Sequence, residues 1–225
     1  MEVKTMIIEL PKEFTFFNEI GEEVAYIDDK GILKLKSLAS FRKIMFEIAY
    51  EMKGRNRCCY CGEIIESDRM TIDHMYPQDF GGPTITNNLL PCCQKCNSEK
   101  GNLTTSQYKK YLLAKKQGRS REYIKDLKLY LMYVRKWELF EIPKEWISRK
   151  EITEIFVKID LNDDYKGKNY KHVKNFYEEY GHLQKPVIVD KKSFLLDGFI
   201  TLMYAKNKKI RKIPVIKLEN VEVIT

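Results

Sequence analysis

The sequence predicts an α+β protein in which strand-rich segments and several helices surround a compact cysteine-rich core. Three observations lead to this prediction. Short apolar alternations broken by acidic turns fill residues 1–36. Apolar residues recur at helical spacing in several later segments, and all six cysteines fall in two clusters, at residues 58–61 and 92–96. With 225 residues, two main units are expected.

The first 54 residues are expected to form strands followed by one helix. The run IDDKGILKLK contains an Asp-Lys-Gly stretch that predicts a hairpin turn between two strands. Ser37 is expected to cap the helix that follows, because apolar residues then recur at steps of three and four. This stripe consists of Leu38, Phe41, Met45, Ile48 and Met52.

Two Cys-x-x-Cys pairs predict a metal cage. Cys58 with Cys61 and Cys93 with Cys96 supply four thiolates, the tetrahedral sulfur set that Zn²⁺ prefers. The first residues include Glu2, Lys4 and Glu9 where a signal peptide would be apolar, and no apolar run reaches about 18 residues. We therefore expect a cytoplasmic protein with no membrane segment and with reduced thiols. Two cysteines remain, and they are expected to be packing residues or replacement ligands: Cys59 and Cys92.

Chemically active side chains lie between and after these pairs. Asp73 and His74 are adjacent, and Asn97 directly follows the last cysteine. An imidazole titrates near pH 6.5 and can take a proton from water, whereas carboxylate and amide oxygens suit Mg²⁺ or Mn²⁺. Consecutive residues of a strand face opposite sides, so a local bend is expected to bring Asp73 and His74 to one phosphate.

Residues 55–103 resemble the HNH endonuclease family in its zinc-bound, four-cysteine form. The segments that carry the resemblance are CCYCGE, MTIDHMYPQDFGG and TNNLLPCCQKCNSEKGN. The resemblance implies a ββα-metal nuclease core with a structural zinc. It also implies metal-dependent hydrolysis of DNA that leaves 5′-phosphate and 3′-hydroxyl ends.

The resemblance assigns roles to four residues. His74 would be the general base, and Asp73 and Asn97 would hold a catalytic Mg²⁺ or Mn²⁺. Asn88 matches the central Asn, which ties the intervening loop and helps to orient the base, and Asn87 is the neighbouring alternative. Pro77 and the Gly81-Gly82-Pro83 run are expected to shape that loop.

The charge distribution favours a nucleic-acid partner. The net charge of +8 divides into −2 for residues 1–50, +7 for residues 51–150 and +3 for residues 151–225. Helices are predicted at 105–117 and 120–137, with tyrosines beside the basic residues, and a basic face of this kind can follow a phosphate backbone. A merely solvated face is the alternative. The candidate DNA contacts are Lys100, Lys109, Lys110, Lys115, Lys116 and Arg119.

The C-terminal segment has its own pattern. A helix ending at Gly181 is followed by PVIV, SFLL, Asp197-Gly198, a helix to about Lys206, and IPVIKL. This order resembles the ParB-like N-terminal domain, a fold shared with sulfiredoxin-type proteins. Phe199-Ile200-Thr201 stand where that family has phosphate-handling His or Arg residues, so a scaffold for docking or DNA contact is expected. An unrelated α/β domain is the alternative.

Four segments are expected. Residues 1–54 would form strands and a helix that pack on the nuclease, and residues 55–103 would form the HNH core. Residues 104–160 would form a helical region in which Pro143 begins a helix, and residues 165–225 would form the ParB-like domain. Residues 161–169 are expected to form a polar loop. The leading hypothesis is a metal-dependent DNA endonuclease. One alternative is a zinc-stabilised nucleic-acid-binding module without catalysis. The other is a regulatory factor that forms a homodimer or binds a protein partner through the C-terminal segment.

Overall fold

The computed structural model describes residues 5–53, 56–66, 69–133, 143–157 and 167–224. The chain divides into two compact units. Unit 1 comprises Met1–Ile48, Ile85–Asn87 and Pro143–Thr225, and unit 2 comprises Ala49–Thr84 and Asn88–Ile142. The N-terminal and C-terminal segments therefore share one unit, and most of the cysteine-rich region belongs to the other.

The elements are numbered in chain order. The strands are β1 (Thr5–Met6), β2 (Thr15–Phe17), β3 (Glu23–Ile27), β4 (Leu33–Leu35), β5 (Met70–His74), β6 (Leu89–Cys93), β7 (Ser148–Glu151), β8 (Val187–Val189), β9 (Leu195–Asp197), β10 (Lys212–Leu218) and β11 (Val221–Val223). The α-helices are α1 (Phe41–Lys53), α2 (Gln94–Lys100), α3 (Thr105–Lys116), α4 (Ser120–Tyr133), α5 (Lys168–Tyr180) and α6 (Phe199–Asn207).

The first sheet of unit 1 has the strand order β11-β4-β3-β2. The antiparallel β3–β4 hairpin confirms the turn predicted from the sequence. Asp28 fixes this turn, because its Oδ1 accepts hydrogen bonds from the backbone N–H groups of Lys30 at 3.1 Å and Ile32 at 2.8 Å. On the other side of β4, the C-terminal strand β11 pairs in parallel.

The second sheet is built around β10, which pairs in parallel with β1 and β8 and antiparallel with β7. β9 extends this sheet beyond β8. Asn220 holds the N-terminal segment in place, accepting from the backbone N–H of Ile8 at 3.0 Å and donating to its carbonyl at 2.8 Å. Two N-terminal strands, β1 and β4, thus pair with C-terminal strands. The expectation that residues 1–54 pack on the nuclease core stays a prediction.

Two helices contribute to the core of unit 1. α5 ends at Gly181, which has a φ of 74° in the left-handed region, as predicted. α6 is buried along most of its length, and Gly198 precedes it at a φ of 94°. The buried cluster consists of Ile155, Leu183, Val187, Val189, Leu195, Leu202, Tyr204, Ala205, Ile213 and Val215.

Two buried carboxylates connect loops and strands of unit 1. Asp190 accepts hydrogen bonds from the backbone N–H groups of Lys192, Phe194 and Val223, each within 2.9 Å. Glu222 on β11 lies within 2.7 Å of three ammonium groups. The lysines that surround Glu222 are Lys34, Lys191 and Lys192. Their hydrogen bonds hold the pKa of Glu222 well below its ordinary value.

α1 differs from its predicted start. A 3-10 turn at Leu38–Ser40 precedes it, and the Ser37 side chain makes no capping hydrogen bond. Three of the five predicted stripe residues are nevertheless buried, because Phe41, Met45 and Ile48 are each at most 1% exposed. Leu38 and Met52 are half-buried. The sequence periodicity therefore identified the buried face of α1 correctly and placed its first residue about one turn too early.

The described part of unit 2 includes an antiparallel strand pair followed by the helices α2, α3 and α4. β5 and β6 pair from Met70 opposite Cys93 to His74 opposite Leu89, and α2 begins directly after β6. The β5–β6 loop needs glycine at position 82, since a Cβ atom there would lie 1.8 Å from the carbonyl oxygen of Tyr76. The predicted helices at 105–117 and 120–137 correspond to α3 and α4, and residues 134–137 lie outside the described residues.

The segments around Pro143 and at the end of residues 161–169 differ from their predicted structures. Pro143 does not begin an α-helix; a short 3-10 turn at Lys144–Trp146 leads into β7, whose residues pair with β10. The polar loop predicted at 161–169 falls mostly outside the described residues, and α5 begins within it, at Lys168. In the part of the chain that the structure describes, no helix is both long and apolar enough to cross a bilayer.

Replacing Glu222 with Gln is expected to destabilise unit 1 by about 1–3 kcal/mol near neutral pH, because three ammonium groups lose their shared carboxylate. Since folding lowers the pKa of Glu222, its stabilisation is full above the ordinary pKa of about 4.5 and is lost as pH falls below that value. The difference in Tm between wild type and variant should therefore shrink from pH 7 to pH 3. A difference independent of pH would contradict this account.

Candidate functional site

The four predicted cysteine ligands converge in unit 2. The Sγ atoms of Cys58, Cys61, Cys93 and Cys96 all lie within 4.8 Å of one another, and those of Cys61 and Cys93 are 4.0 Å apart. Four sulfurs bound tetrahedrally at about 2.3 Å from one Zn²⁺ would be roughly 3.8 Å apart. The cage therefore has the size and the donor set for a metal such as zinc.

Backbone geometry presents the two thiol pairs. In the first, the carbonyl of Cys58 accepts from the N–H of Gly62 at 3.0 Å, and its Sγ accepts from the N–H of Tyr60 at 3.4 Å. In the second, Cys93 caps α2, and its Sγ accepts from the N–H of Cys96 at 3.3 Å. Such backbone N–H donors stabilise thiolates, the form that binds a metal.

The environment acts unequally on the cysteine pKa values. Burial acts to raise the pKa of Cys58, but hydrogen bonds from backbone N–H groups outweigh it and lower that pKa to about 7. Burial raises the pKa of Cys61 to about 11 and also raises that of Cys96. Cys61 and Cys96 therefore need a nearby cation to ionise near neutral pH. A bound metal ion would supply that positive charge.

The two remaining cysteines behave differently from each other. Cys92 is fully buried, and its Sγ lies 3.6 Å from the hydroxyl of Thr71, so it packs as predicted. Cys59 is exposed and is not a packing residue, which corrects that part of the expectation. Among the described residues, the four-sulfur cluster includes neither of these two cysteines.

The cage forms most of the small buried cluster around it. That cluster contains four cysteines and one aromatic side chain: Cys58, Cys92, Cys93, Cys96 and Tyr108. Tyr108 belongs to α3 and is fully buried, with its hydroxyl donating to Glu99 on α2 at 2.8 Å. α3 therefore belongs to the same packed unit as the cage, although the sequence pattern predicted that the core ends at residue 103.

Asp73 and His74 are consecutive residues of β5, and their pairing with β6 is regular. The sequence pattern predicted a local bend between Asp73 and His74, but the pairing of β5 with β6 shows no shift in register at these residues. Asp73 is buried, and its Oδ2 accepts a hydrogen bond from the Tyr60 hydroxyl at 2.5 Å. Burial raises the pKa of Asp73, while hydrogen bonds from Tyr60 and Lys100 act in the opposite direction.

Lys100 is a buried residue of α2. Its side chain is only 1% exposed, and its ammonium donates to Asp73 Oδ1 at 2.9 Å and to the carbonyl oxygen of His74 at 3.0 Å. A buried carboxylate and a carbonyl therefore hold the ammonium of Lys100 inside unit 2. The predicted contact of Lys100 with a DNA phosphate stays a prediction.

His74 is positioned through a hydroxyl. Its Nε2 lies 3.1 Å from Thr84 Oγ1, which also accepts a hydrogen bond from Gln78 Nε2 at 2.9 Å. When Nε2 carries the proton it donates to Thr84, and the basic lone pair of the ring is then on Nδ1. Thr84 and Gln78 both belong to the β5–β6 loop, so this loop sets the orientation of the imidazole.

Asn88 ties that same loop together. It is fully buried; its Oδ1 accepts from the N–H of Tyr76 at 2.9 Å, and its Nδ2 donates to the carbonyls of Tyr76 at 3.2 Å and Pro83 at 2.9 Å. Its own carbonyl accepts from the N–H of Met75 at 2.8 Å. Asn87, the neighbouring alternative, bonds instead to the backbone of residues 7 and 9 in unit 1.

Asn97 lies on α2, and its Nδ2 donates to Thr71 Oγ1 at 3.1 Å. Together with Asp73 and His74 it lines one open cleft of about 200 Å³, so three of the predicted catalytic residues share a single cavity. The remaining lining residues are Ile72, Pro77, Gln78, Asp79, Lys100, Gly101 and Asn102.

The cleft has donors suited to a divalent ion. Asp73 offers carboxylate oxygens and Asn97 an amide oxygen, the hard donors that Mg²⁺ and Mn²⁺ prefer. Each oxygen of Asp73 already accepts one hydrogen bond, and each retains a second lone pair for an ion. An ion bound there would share Asp73 with the Lys100 ammonium.

The other predicted DNA contacts lie on or just after α3. Lys109, Lys110 and Lys116 are exposed. Lys115 is ion-paired with Glu99, and Arg119 with Glu122. The neighbouring tyrosine rings pack against one another. The ring centroids of Tyr108 and Tyr111 are 5.9 Å apart, and those of Tyr111 and Tyr123 are 6.4 Å apart.

Sequence patterns did not identify the residues that hold the site together: Tyr60, Gln78, Thr84 and Glu99. Tyr60 lies inside the first Cys-x-x-Cys pair, 13 positions before Asp73, and no spacing rule indicates their contact. Thr84 directly follows the Gly-Gly-Pro run, so the predicted loop was the only available signal for it.

Comparisons with known proteins agree with part of this description. Residues 58–113 match a family model described as HNH endonuclease. The match begins at the first cage cysteine and continues into α3. No curated protein matches the chain.

One solved structure, a Pnob8-like ParB-N domain, is 15% identical over 32% of this chain and 28% of that chain. Its TM-score of 0.27 is too low to indicate a shared fold. The ParB-like character of residues 165–225 therefore stays a prediction.

Replacing Cys96 with Ser should remove about one equivalent of bound metal and unfold the region around the cage, because metal binding contributes directly to folding in small cysteine cages. Metal content by mass spectrometry and thermal unfolding would measure the two effects. Cys59→Ser is the matched control and should retain both metal and stability, since Cys59 is exposed and outside the cage. Equal metal loss in both variants would contradict the assignment.

Replacing Lys100 with Met should lower the stability of unit 2 by about 3 kcal/mol, because Asp73 would keep a buried carboxylate without its ammonium partner. Lys95→Met, at an exposed position of the same helix, should leave Tm nearly unchanged. If Lys100→Met instead weakened DNA binding at an unchanged Tm, a surface contact with phosphate would be the better description.

Proposed function

We propose that the protein is a metal-dependent DNA endonuclease that hydrolyses phosphodiester bonds in the cleft shared by Asp73, His74 and Asn97. One observation carries the proposal. A buried carboxylate, an imidazole and an amide line one cavity, within the stretch 58–113 that matches the HNH endonuclease model. Hydrolysis of a phosphodiester needs a base for water and charge neutralisation at the phosphate, and these groups supply both.

In this proposal His74 is the general base. The Thr84 hydroxyl, 3.1 Å from Nε2, orients the ring. In the tautomer in which Nε2 donates to Thr84, Nδ1 carries the lone pair that would accept a proton from water. Asn88 contributes indirectly. Its hydrogen bonds to Tyr76 and Pro83 hold the loop that carries Thr84, which makes it a positioning residue.

Asp73 and Asn97 would hold Mg²⁺ or Mn²⁺. Such an ion supplies neutralisation of a phosphate oxygen and stabilisation of the leaving oxygen. Tyr60 and Lys100 fix the orientation of Asp73 through one hydrogen bond to each carboxylate oxygen. The four cysteines would hold a separate structural Zn²⁺, so the proposed site uses soft sulfur donors for folding and hard oxygen donors for chemistry.

DNA would reach the cleft along the basic surface of α3. The exposed ammonium groups of Lys109, Lys110 and Lys116 carry this part of the proposal, because they can neutralise phosphates. Lys115 and Arg119 would contribute only by exchanging a carboxylate partner for phosphate.

A zinc-stabilised binding module without catalysis is the second hypothesis. The hydrogen-bond network around Asp73 and His74 favours the nuclease over it. A structural zinc site needs neither a buried carboxylate paired with lysine nor an imidazole positioned beside it.

The direct test is cleavage of supercoiled plasmid by zinc-loaded protein, with and without added Mg²⁺ or Mn²⁺. Wild type should convert plasmid to the nicked form only with the added ion, and His74→Ala should lower the rate by about 10²-fold or more, because the base is lost. A DNA ligase should reseal the nicks, since the resemblance to HNH enzymes implies 5′-phosphate and 3′-hydroxyl ends.

His172→Ala is the matched control, since His172 lies on the exposed surface of α5. It should cleave like wild type, and His74→Ala should keep its zinc and its affinity for DNA. Undiminished cleavage by His74→Ala would refute its assigned role. Absence of cleavage by wild type, with zinc and DNA binding intact, would favour the binding module.

A further inference from the structure

The C-terminal end of α6 leads into a strongly basic turn in unit 1. Five of the seven residues from 206 to 212 are Lys or Arg, and all five are exposed. This basic turn consists of Lys206, Lys208, Lys209, Arg211 and Lys212. It lies far along the chain from residues 58–113, which match the endonuclease model.

The described residues neutralise little of this charge. Arg211 and Lys212 share the carboxylate of Glu151, at 3.0 and 3.5 Å. Across the described ranges, no carboxylate lies within ion-pair distance of the other three ammonium groups. The turn therefore retains a positive charge that a polyanion can neutralise, with release of counterions.

The backbone of the turn is fixed. The N–H of Ile210 donates to the carbonyl of Ala205 at 2.9 Å, and that of Lys209 donates to the carbonyl of Lys206 at 3.0 Å. These two bonds form a Schellman cap, in which glycine is usual at the left-handed position. Here Lys209 occupies that position with a φ of 57°, a conformation that is unfavourable for a residue with a Cβ atom.

Helix capping explains only part of this composition. Cations near the end of a helix are favoured by the helix dipole, but the effect fades within the last turn. It does not account for Arg211 and Lys212, which lie beyond the cap at the start of β10. Nor does it explain a lysine where glycine would relieve strain. Such strain at an exposed charged residue favours a role in binding.

The basic turn borders an open cleft of about 460 Å³ whose other walls are largely apolar. Lys206, Lys209 and Arg211 stand on one side, and Ile152, Ile155 and Ile210 are among the remaining lining residues. A sugar–phosphate backbone offers charged phosphates at regular intervals with less polar sugars between them, which matches a basic rim beside an apolar floor.

We propose that the basic turn of unit 1 is a second DNA-binding surface, which holds the phosphate backbone in addition to the proposed site in unit 2. The inference rests on the proposed function only for its choice of DNA as the polyanion. It concerns binding, so its test needs no cleavage.

The test measures binding of the full chain, zinc-loaded and without added Mg²⁺ or Mn²⁺, to a fluorescent DNA duplex between 50 and 200 mM salt. Lys206→Gln/Lys208→Gln should lower the slope of log Kd against log salt concentration by about 2, because each phosphate contact contributes about 0.9. Affinity should fall at least about tenfold at 100 mM salt. The control Lys12→Gln/Lys30→Gln removes the same charge at exposed positions of unit 1 and should change the slope little.

Lys209→Gly separates binding from folding. Glycine relieves the left-handed strain, so Tm should rise while DNA affinity falls. A raised Tm with unchanged affinity would overturn the proposal, as would equal slopes for the test and control double variants. Loss of binding to poly-glutamate with DNA binding retained would also overturn it, in favour of an acidic protein partner. If DNA binds through the turn but plasmid is not cut, the proposed function fails and this inference stands.

Discussion

The convergence of four cysteine sulfurs is the constraint on which unit 2 depends. Four of the five buried residues in the cluster around the cage are cysteines, and the apolar side chains packed against this cluster are only partly buried. Small domains with such limited cores commonly need a metal to fold. The cage joins the turn after Cys58 to the start of α2 at Cys93. It therefore sets where β5, β6 and α2 meet, which is where Asp73, His74 and Asn97 line one cleft.

A second layer of buried polar contacts gives this cleft its chemistry. Lys100 binds both Asp73 and the backbone of His74, and Asn88 closes the loop that carries Thr84. A buried ion pair adds little net stability compared with apolar packing, but it leaves a large penalty if one partner is removed. The pair is thus better suited to holding a carboxylate in one orientation than to stabilising the fold.

Local sequence patterns predicted much of this structure. The β3–β4 turn, the buried face of α1, the end of α5 and the four cage cysteines all depend on spacings of a few residues. The contacts that were missed join distant positions: Tyr60 with Asp73, Lys100 with Asp73, and Asn220 with Ile8, 212 residues away. Lys100 looked like a surface cation because neither periodicity nor composition reveals a buried partner.

X-ray absorption at the zinc edge of the purified full chain would test the central claim most directly. The account predicts one zinc per chain with four sulfur neighbours at about 2.3 Å. The spectrum should be the same in Cys59→Ser, because that thiol is exposed and outside the cage. A zinc shell with nitrogen or oxygen ligands, or a folded protein that contains no zinc, would contradict the account that the four-sulfur cage organises the site.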